Sequence, residues 1–306
     1  TTFSWEFPYS MINQLNLYID GVKNSSSLSE NEKEGLLGQG YALRAFYYFQ
    51  LAMEFQHTFT YDTSLAAPPI YEEPALEGKP MSTIGALYEF ILSDLYTAVQ
   101  TTPETRQNKS YVNRNVAHAM LARVHQVMGN WQEAANAATI ARQGYSLNAS
   151  EYAQGFDDMN ASEWIWALPQ RSDQTNYFYI APHAFTDNES DGYGLAFWNK
   201  DFVSLFSPTD VRNTFVDLYG VGEGNDYYAR ASSKFRFSFS ADIPIIRSAE
   251  MLLIEIEAKA RLGNENEAAS LLLQLQQNRD PNAQASGKTG NALIEEILVE
   301  RRKELY

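Results

Sequence analysis

Cysteine is missing from all 306 residues, which removes disulfides, thiolate nucleophiles and Cys-based zinc sites together. Many exported proteins also lack disulfides, so the absence does not name a compartment. Positive charge is scarce: 23 Lys and Arg stand against 38 Asp and Glu, a formal net charge of −15. Phosphate recognition needs a basic surface that releases counterions, so no nucleic-acid partner is expected. No apolar run approaches the about 18 residues that would span a bilayer. The opening residues TTFSWEFPYS have neither the cationic segment nor the apolar core of an export signal. The chain stops at ERRKELY inside an apparent helix, and both ends look trimmed. Apolar material is plentiful, with 44% hydrophobic and 13% aromatic residues, enough to fill a sizeable core.

Much of that material has helical spacing. Tyr9, Ile12, Leu15 and Ile19 suggest a first helix over Pro8–Asp20, with Trp5 just ahead of it. Ser29 and Glu32 form a capping box. It opens a helix running to about Gln56 that is apolar on nearly every face and is expected to be buried all round. Pro68, Pro69, Pro74 and Pro80 leave residues 58–80 as an extended crossing. Ser82 then caps a helix that Thr101-Thr102-Pro103 closes.

Two further stretches read as helical hairpins. In Tyr111–Tyr145, Ala117, Leu121, Val124 and Met128 face Ala134, Ala138 and Ala141 across a Gly129-Asn130 turn. In Ile245–Arg279, Ala249, Leu252, Leu253, Ile256 and Ala260 face Ala268, Leu271, Leu272 and Leu275 across Gly263-Asn264. Gly and Asn tolerate the left-handed backbone that ends a helix, and small residues near the turn allow close approach. The shared pattern Gly-Asn-x-x-Glu-Ala resembles tetratricopeptide units separated by an insertion. Over residues 145–243 helical periodicity fades, and aromatics, Asn, Asp, Gly and Ser become dense. Trp164–Leu168 and Phe235–Phe239 alternate like short strands, with Trp164 and Trp166 as core. The expected fold is mainly α, a tetratricopeptide-like helical-pair scaffold with a loop-rich insertion containing short strands. It would be one domain over 1–306, with scaffold at 1–144 and 244–306 and the insertion at 145–243.

Several segments, taken in order, resemble the SusD/RagB family. The spacing Trp5, Tyr9, Ile12, Asn16 resembles the family's first helix, and GYALRAFYYFQLAMEF its aromatic LRA helix through Arg44. Asp94-Leu95 with Ala98, and the stretch NRNVAHAMLARVHQVMGNWQEAANAA, match further helices. Arg247, Ala249-Glu250 and Glu257-Ala258, then Glu300, Arg301, Arg302 and Glu304, match the last two motifs. The resemblance implies a helical frame bearing a glycan site in its irregular half and no catalytic chemistry or cofactor. It also implies a lipid anchor, absent from this chain, on the extracellular face of the outer membrane, and a SusC-like TonB-dependent transporter as partner.

A glycan site needs flat aromatic rings for sugar C–H faces and amides or carboxylates for hydroxyls. The candidates are Tyr193 and Trp198 first, with Tyr177, Tyr179, Tyr227, Tyr228 and Trp5, and Asn176, Asn188 and Asn199 nearby. Asp187–Gly192 mimics half a calcium loop, but position 12 is Trp198 instead of Glu, so a solvated acidic loop is expected. His118 and His125 carry no metalloprotease motif and read as core or surface histidines, and no metal site is expected. Gly220, Gly222 and Gly224 precede no helix that could bind phosphate. Glu250, Glu255 and Glu257 could form a hydrolytic carboxylate pair, yet pairing of Glu250 or Glu257 with Arg247 or a helix end is simpler. Glycan binding leads, a tetratricopeptide-type protein–protein adaptor is the alternative, and a helical glycosidase comes third.

Overall fold

The computed structural model describes residues 2–173, 182–187, 196–217, 220 and 230–306. These fall into two compact units, Thr1–Gln143 and Gly144–Tyr306.

The first unit is a run of antiparallel helices. Helix α1 spans Thr2–Asn24 and α2 spans Glu30–Phe55. The first helix starts earlier than Pro8, so Trp5 lies within it. Pro8 removes only one donor, and the i,i+4 ring pairs Phe3–Phe7 (5.4 Å) and Trp5–Tyr9 (5.1 Å) support the added turn. The capping box is complete: Glu32 N–H donates to Ser29 Oγ, and Ser29 N–H donates to the Glu32 carboxylate at 2.8 Å. Burial all round is not what α2 shows. Tyr48, Leu51 and Ala52 are buried, but Met53 is 52% exposed, because α1 and α3 cover only part of its circumference.

Strand β1 (Ala66–Ala67) pairs antiparallel with β2 (Ser82–Thr83), pinning both ends of the proline-rich crossing. Helix α3 spans Ile84–Thr101, and its cap is Thr83, whose Oγ1 accepts from Ala86 N–H at 3.2 Å. Ser82 instead donates to Pro68 O at 2.7 Å, since its strand position aims it across the ladder. Helices α4 (Arg114–Met128) and α5 (Trp131–Ala141) form the first expected hairpin. Gly129 turns it at φ 76°, and Ala134, Ala138 and Ala141 are fully buried.

The clamp at the centre of this unit is polar. Arg44 donates to both Asp94 oxygens (2.7 and 2.8 Å), to Asn16 Oδ1 (2.8 Å) and to Glu72 O (3.0 Å). Asn16 donates in turn to Tyr71 O (3.0 Å) and Glu73 O (3.1 Å). One buried guanidinium thus joins α1, α2, α3 and the crossing, with the Tyr41 and Phe90 rings at 5.3 and 4.9 Å.

The second unit begins with α6 (Ala149–Tyr152), β3 (Trp164–Leu168), α7 (Pro182–Thr186) and α8 (Lys200–Val203). Strands β4 (Phe215–Val216), β5 (Ala231–Ser232) and β6 (Ile243–Arg247) follow. Helices α9 (Ser248–Arg261), α10 (Glu265–Arg279) and α11 (Gly290–Leu305) close the unit. The second hairpin is α9 and α10, with Gly263 at φ 83°. Its expected apolar stripes meet Leu293 and Ile297 of α11 in one buried cluster.

The helix does not begin at Ile245. The β-branched Ile243, Ile245 and Ile246 place that stretch in β6, antiparallel to β3. Trp164 and Trp166 are buried as expected, but Phe235–Phe239 is not a strand. Its N–H groups are used elsewhere: Arg236 donates to Gly155 O at 2.9 Å and Phe237 to the Asp187 carboxylate.

Candidate functional site

Trp198 is the predicted site residue that the second unit fixes most firmly. Its N–H donates to Arg230 O and its carbonyl accepts from Arg230 Nε, both at 2.9 Å. Phe197 beside it bridges to Ala231. The Trp198 ring stands edge-on to Tyr306 (4.8 Å, 87°) and tilts against Phe202 (5.5 Å). Phe206 and Phe215 complete this ring cluster. Asn199, an exposed residue, caps α8, its Oδ1 accepting from Asp201 N–H at 2.8 Å.

Trp198, Asn199, Phe202, Arg301, Arg302 and Tyr306 border a cleft of about 460 Å³. That volume falls within the about 300–1,000 Å³ of small-molecule sites. Among the described residues Trp198 Nε1 and Arg301 Nη1 are buried without a partner, and a ligand oxygen that reached them would satisfy them. The Arg302 guanidinium lies 5.2 Å from the Phe202 ring centre, and Arg301 reaches Glu250 only at 4.0 Å.

Behind the cleft lies a buried ion network. Glu304 binds Arg212 (3.0 Å), Arg247 (2.9 Å) and Arg279 (3.0 Å). Burial alone would push its carboxyl up, but Arg279, Arg247 and Arg212 outweigh this and hold it well below the usual carboxylate range. Arg247 therefore pairs with Glu304 and, at 3.6 Å, with Glu163, not with Glu250 or Glu257. Glu257 pairs with Arg261 at 2.8 Å and Glu255 with Lys259 at 3.7 Å, and both carboxylates are buried. They face neighbouring turns of their own helix, which is the geometry of an i,i+4 pair and not of two carboxylates across a substrate.

Trp5 belongs to the first unit. Its ring meets Phe55 edge-on (4.9 Å, 89°) and helps line a separate cleft of about 450 Å³ between α1 and the crossing. Tyr177, Tyr179, Tyr193, Tyr227, Tyr228, Asn176 and Asn188 lie outside the described residues.

Asp187 is not part of a solvated loop: it is fully buried and its carboxylate accepts from Phe237 N–H. The other residues of that half-loop lie outside the described residues. His125 is held at both ring nitrogens, by Tyr96 OH (3.1 Å) and Asn130 Nδ2 (3.2 Å), and burial lowers its pKa. It pins the α4–α5 turn. Among the described residues no helix is long and apolar enough to cross a membrane.

The buried motif residues, from Asn16, Arg44 and Asp94 to Arg247 and Glu304, invite comparison with known proteins. The sequence model SusD-like_3, described as starch-binding and associating with the outer membrane, matches residues 1–125. That of the SusD family matches residues 212–306. A SusD-like carbohydrate-binding protein from Bacteroides vulgatus is 29% identical with a TM-score of 0.88, over 100% of this chain and 67% of its own. A SusD superfamily protein from Bacteroides thetaiotaomicron is 26% identical with a TM-score of 0.81, over 98% and 71%. A laminarin-binding SusD-like protein shares the fold at 19% identity, with a TM-score of 0.79, over 100% and 75%. No curated protein matches. With family sequence models matching at both ends and one fold shared over its full length, the chain belongs to the SusD/RagB family.

Proposed function

We propose that this protein binds oligosaccharides at the outer face of the outer membrane, without chemistry of its own, and delivers them to a SusC-like TonB-dependent transporter. The observation that carries the reading is the cleft at Trp198, where a partly exposed indole, the Asn199 amide and unpartnered buried donors meet on a SusD-like frame. A pyranose offers C–H groups to the ring face and hydroxyl oxygens to those donors. Tyr193, Tyr177, Tyr179 and Asn188, which lie outside the described residues, are proposed as further glycan contacts, Tyr193 foremost, and a lipid anchor would hold the protein at the membrane.

Isothermal titration against a panel of starch, laminarin and xylan oligosaccharides tests this. Saturable heat is expected from at least one glycan, weakened in Trp198→Ala and Tyr193→Ala. Heat from non-carbohydrate ligands alone would overturn it. The adaptor alternative draws on the two hairpins turned at Gly129 and Gly263. It predicts capture of a peptide or protein with no response to glycans, and prolonged incubation with the same panel should release no sugar.

A further inference from the structure

The first unit carries a cleft that the Trp198 platform does not explain. One wall is α1, presenting Trp5, Tyr9 and Asn13, and the other is the crossing, presenting Tyr71 and Glu77, with Glu6 at the rim. Its volume of about 450 Å³ is that of a small-molecule site.

The walls are fixed before any ligand arrives. Tyr9 OH donates to Pro69 O at 2.9 Å, Asn13 Oδ1 accepts from Ala75 N–H at 3.3 Å, and the Arg44–Asn16 clamp holds Tyr71 O, Glu72 O and Glu73 O behind them. Such preorganisation lowers the ordering entropy that binding must overcome. Several polar groups remain free. Trp5 Nε1 and Asn13 Nδ2 have no partner among the described residues, and Glu6 and Glu77 make no ion pair. Lys79, on the same crossing, donates to the Ile70 carbonyl and lies over the Tyr71 ring, 5.3 Å from its centre.

The lining sorts ligand classes. Two carboxylates without a cation of their own repel anions, and carboxylates with free N–H donors leave a purely apolar guest with unmet polar groups. Neutral hydroxyls satisfy both, donating to Glu6 and Glu77 and accepting from Trp5 and Asn13, while sugar C–H groups carry the partial positive charge that an aromatic face attracts. We infer that the cleft between α1 and residues 69–78 is a second binding site, for a neutral saccharide of one or two rings, independent of the Trp198 platform.

Fluorine NMR of the whole chain labelled with 5-fluorotryptophan reads both sites at once, since each of the five tryptophans gives its own signal and Trp5→Phe assigns that of Trp5. Titration with maltose, cellobiose and xylobiose should move the Trp5 resonance saturably for at least one sugar, with that response retained in Trp198→Ala. Asn13→Asp keeps the acceptor for Ala75 but loses the free donor. It and Glu77→Ala should each weaken the response about tenfold, as loss of one hydrogen bond does. Thermal unfolding of both variants checks that they fold. A silent Trp5 signal while Trp198 responds overturns the second site and leaves the proposed function standing; the reverse pattern overturns the Trp198 platform and leaves the second site standing. Silence of both overturns the second site and leaves the proposed function to the calorimetric panel. A Trp5 response to tetramethylammonium but to none of the sugars overturns the saccharide assignment, as does a response that both variants leave unchanged.

Discussion

At the scale of single residues, the family-like motifs act through buried charge. Arg44 and Asp94 lie 50 positions apart and meet bidentately; Glu304 sits among three guanidiniums. Removing one partner of such a set leaves the other charged and dry. Arg44→Ala should therefore destabilise by about 3–5 kcal/mol, and Glu304→Gln by a similar amount. Urea unfolding at neutral pH measures both, and a loss within error of zero for either would show that its network contributes nothing net. The sequence offered Arg44, Asp94, Arg247 and Glu304 as motif members but not their pairing. Nothing in the spacing of Arg247 and Glu250 says that the real partner lies 57 residues away, because long-range pairing is set by packing and not by periodicity.

At the scale of elements, helices were legible wherever apolar spacing and a chemical cap agreed. The stripes of α9 and α10 are buried as the pattern implied, except for half-buried Leu271, and the left-handed turns fall at Gly129 and Gly263. Boundaries were harder. Ser82 and Thr83 offer the same hydroxyl, and only the short β1–β2 ladder decides which one caps. Thr83→Ala should cost about 1 kcal/mol and speed hydrogen exchange at the Ala86 amide. Ser82→Ala, which loses the bond to Pro68 O, should leave that amide unchanged. Equal exchange in the two variants would contradict the assignment. The helical stretch Ile245–Arg279 takes in the last three residues of β6, ahead of the first stripe residue Ala249. The β-branched run of β6 and its pairing with β3 make those residues strand, and pairing is not visible in one strand alone. The candidate site was less legible than the frame. Trp198 and Asn199 do border a cleft, but its cationic side comes from α11, about a hundred residues on in the chain, which no local pattern announces.

At the scale of the whole molecule, titration should be one-sided. Burial lowers the pKa of His118, His125 and His183, so the unfolded chain takes up those protons first and stability falls as pH drops below about 6.5. Glu304, lowered by its three arginines in spite of burial, and Asp210, lowered chiefly by Arg212 in spite of burial, lose their contributions further down. That second loss sets in below about pH 4.5, again because the unfolded state protonates first. Asp94 runs the other way, burial raising its carboxyl with Arg44 offsetting only part. Calorimetry from neutral pH downward should show the melting temperature falling in two stages, with the second reduced in Glu304→Gln. A melting temperature that rises on acidification would contradict the assigned signs.

The Arg44 clamp also bears on how this sequence can drift. Arg44 and Asn16 grip the crossing by the carbonyls of Tyr71, Glu72 and Glu73, not by their side chains. Every residue type supplies a carbonyl. Substitutions at Glu72 and Glu73 should therefore accumulate freely among natural variants, while Asn16, Arg44 and Asp94 change together or not at all. The piece of the first unit with the least regular backbone would be held in place by residues elsewhere in the chain, and its own letters would carry almost no record of it.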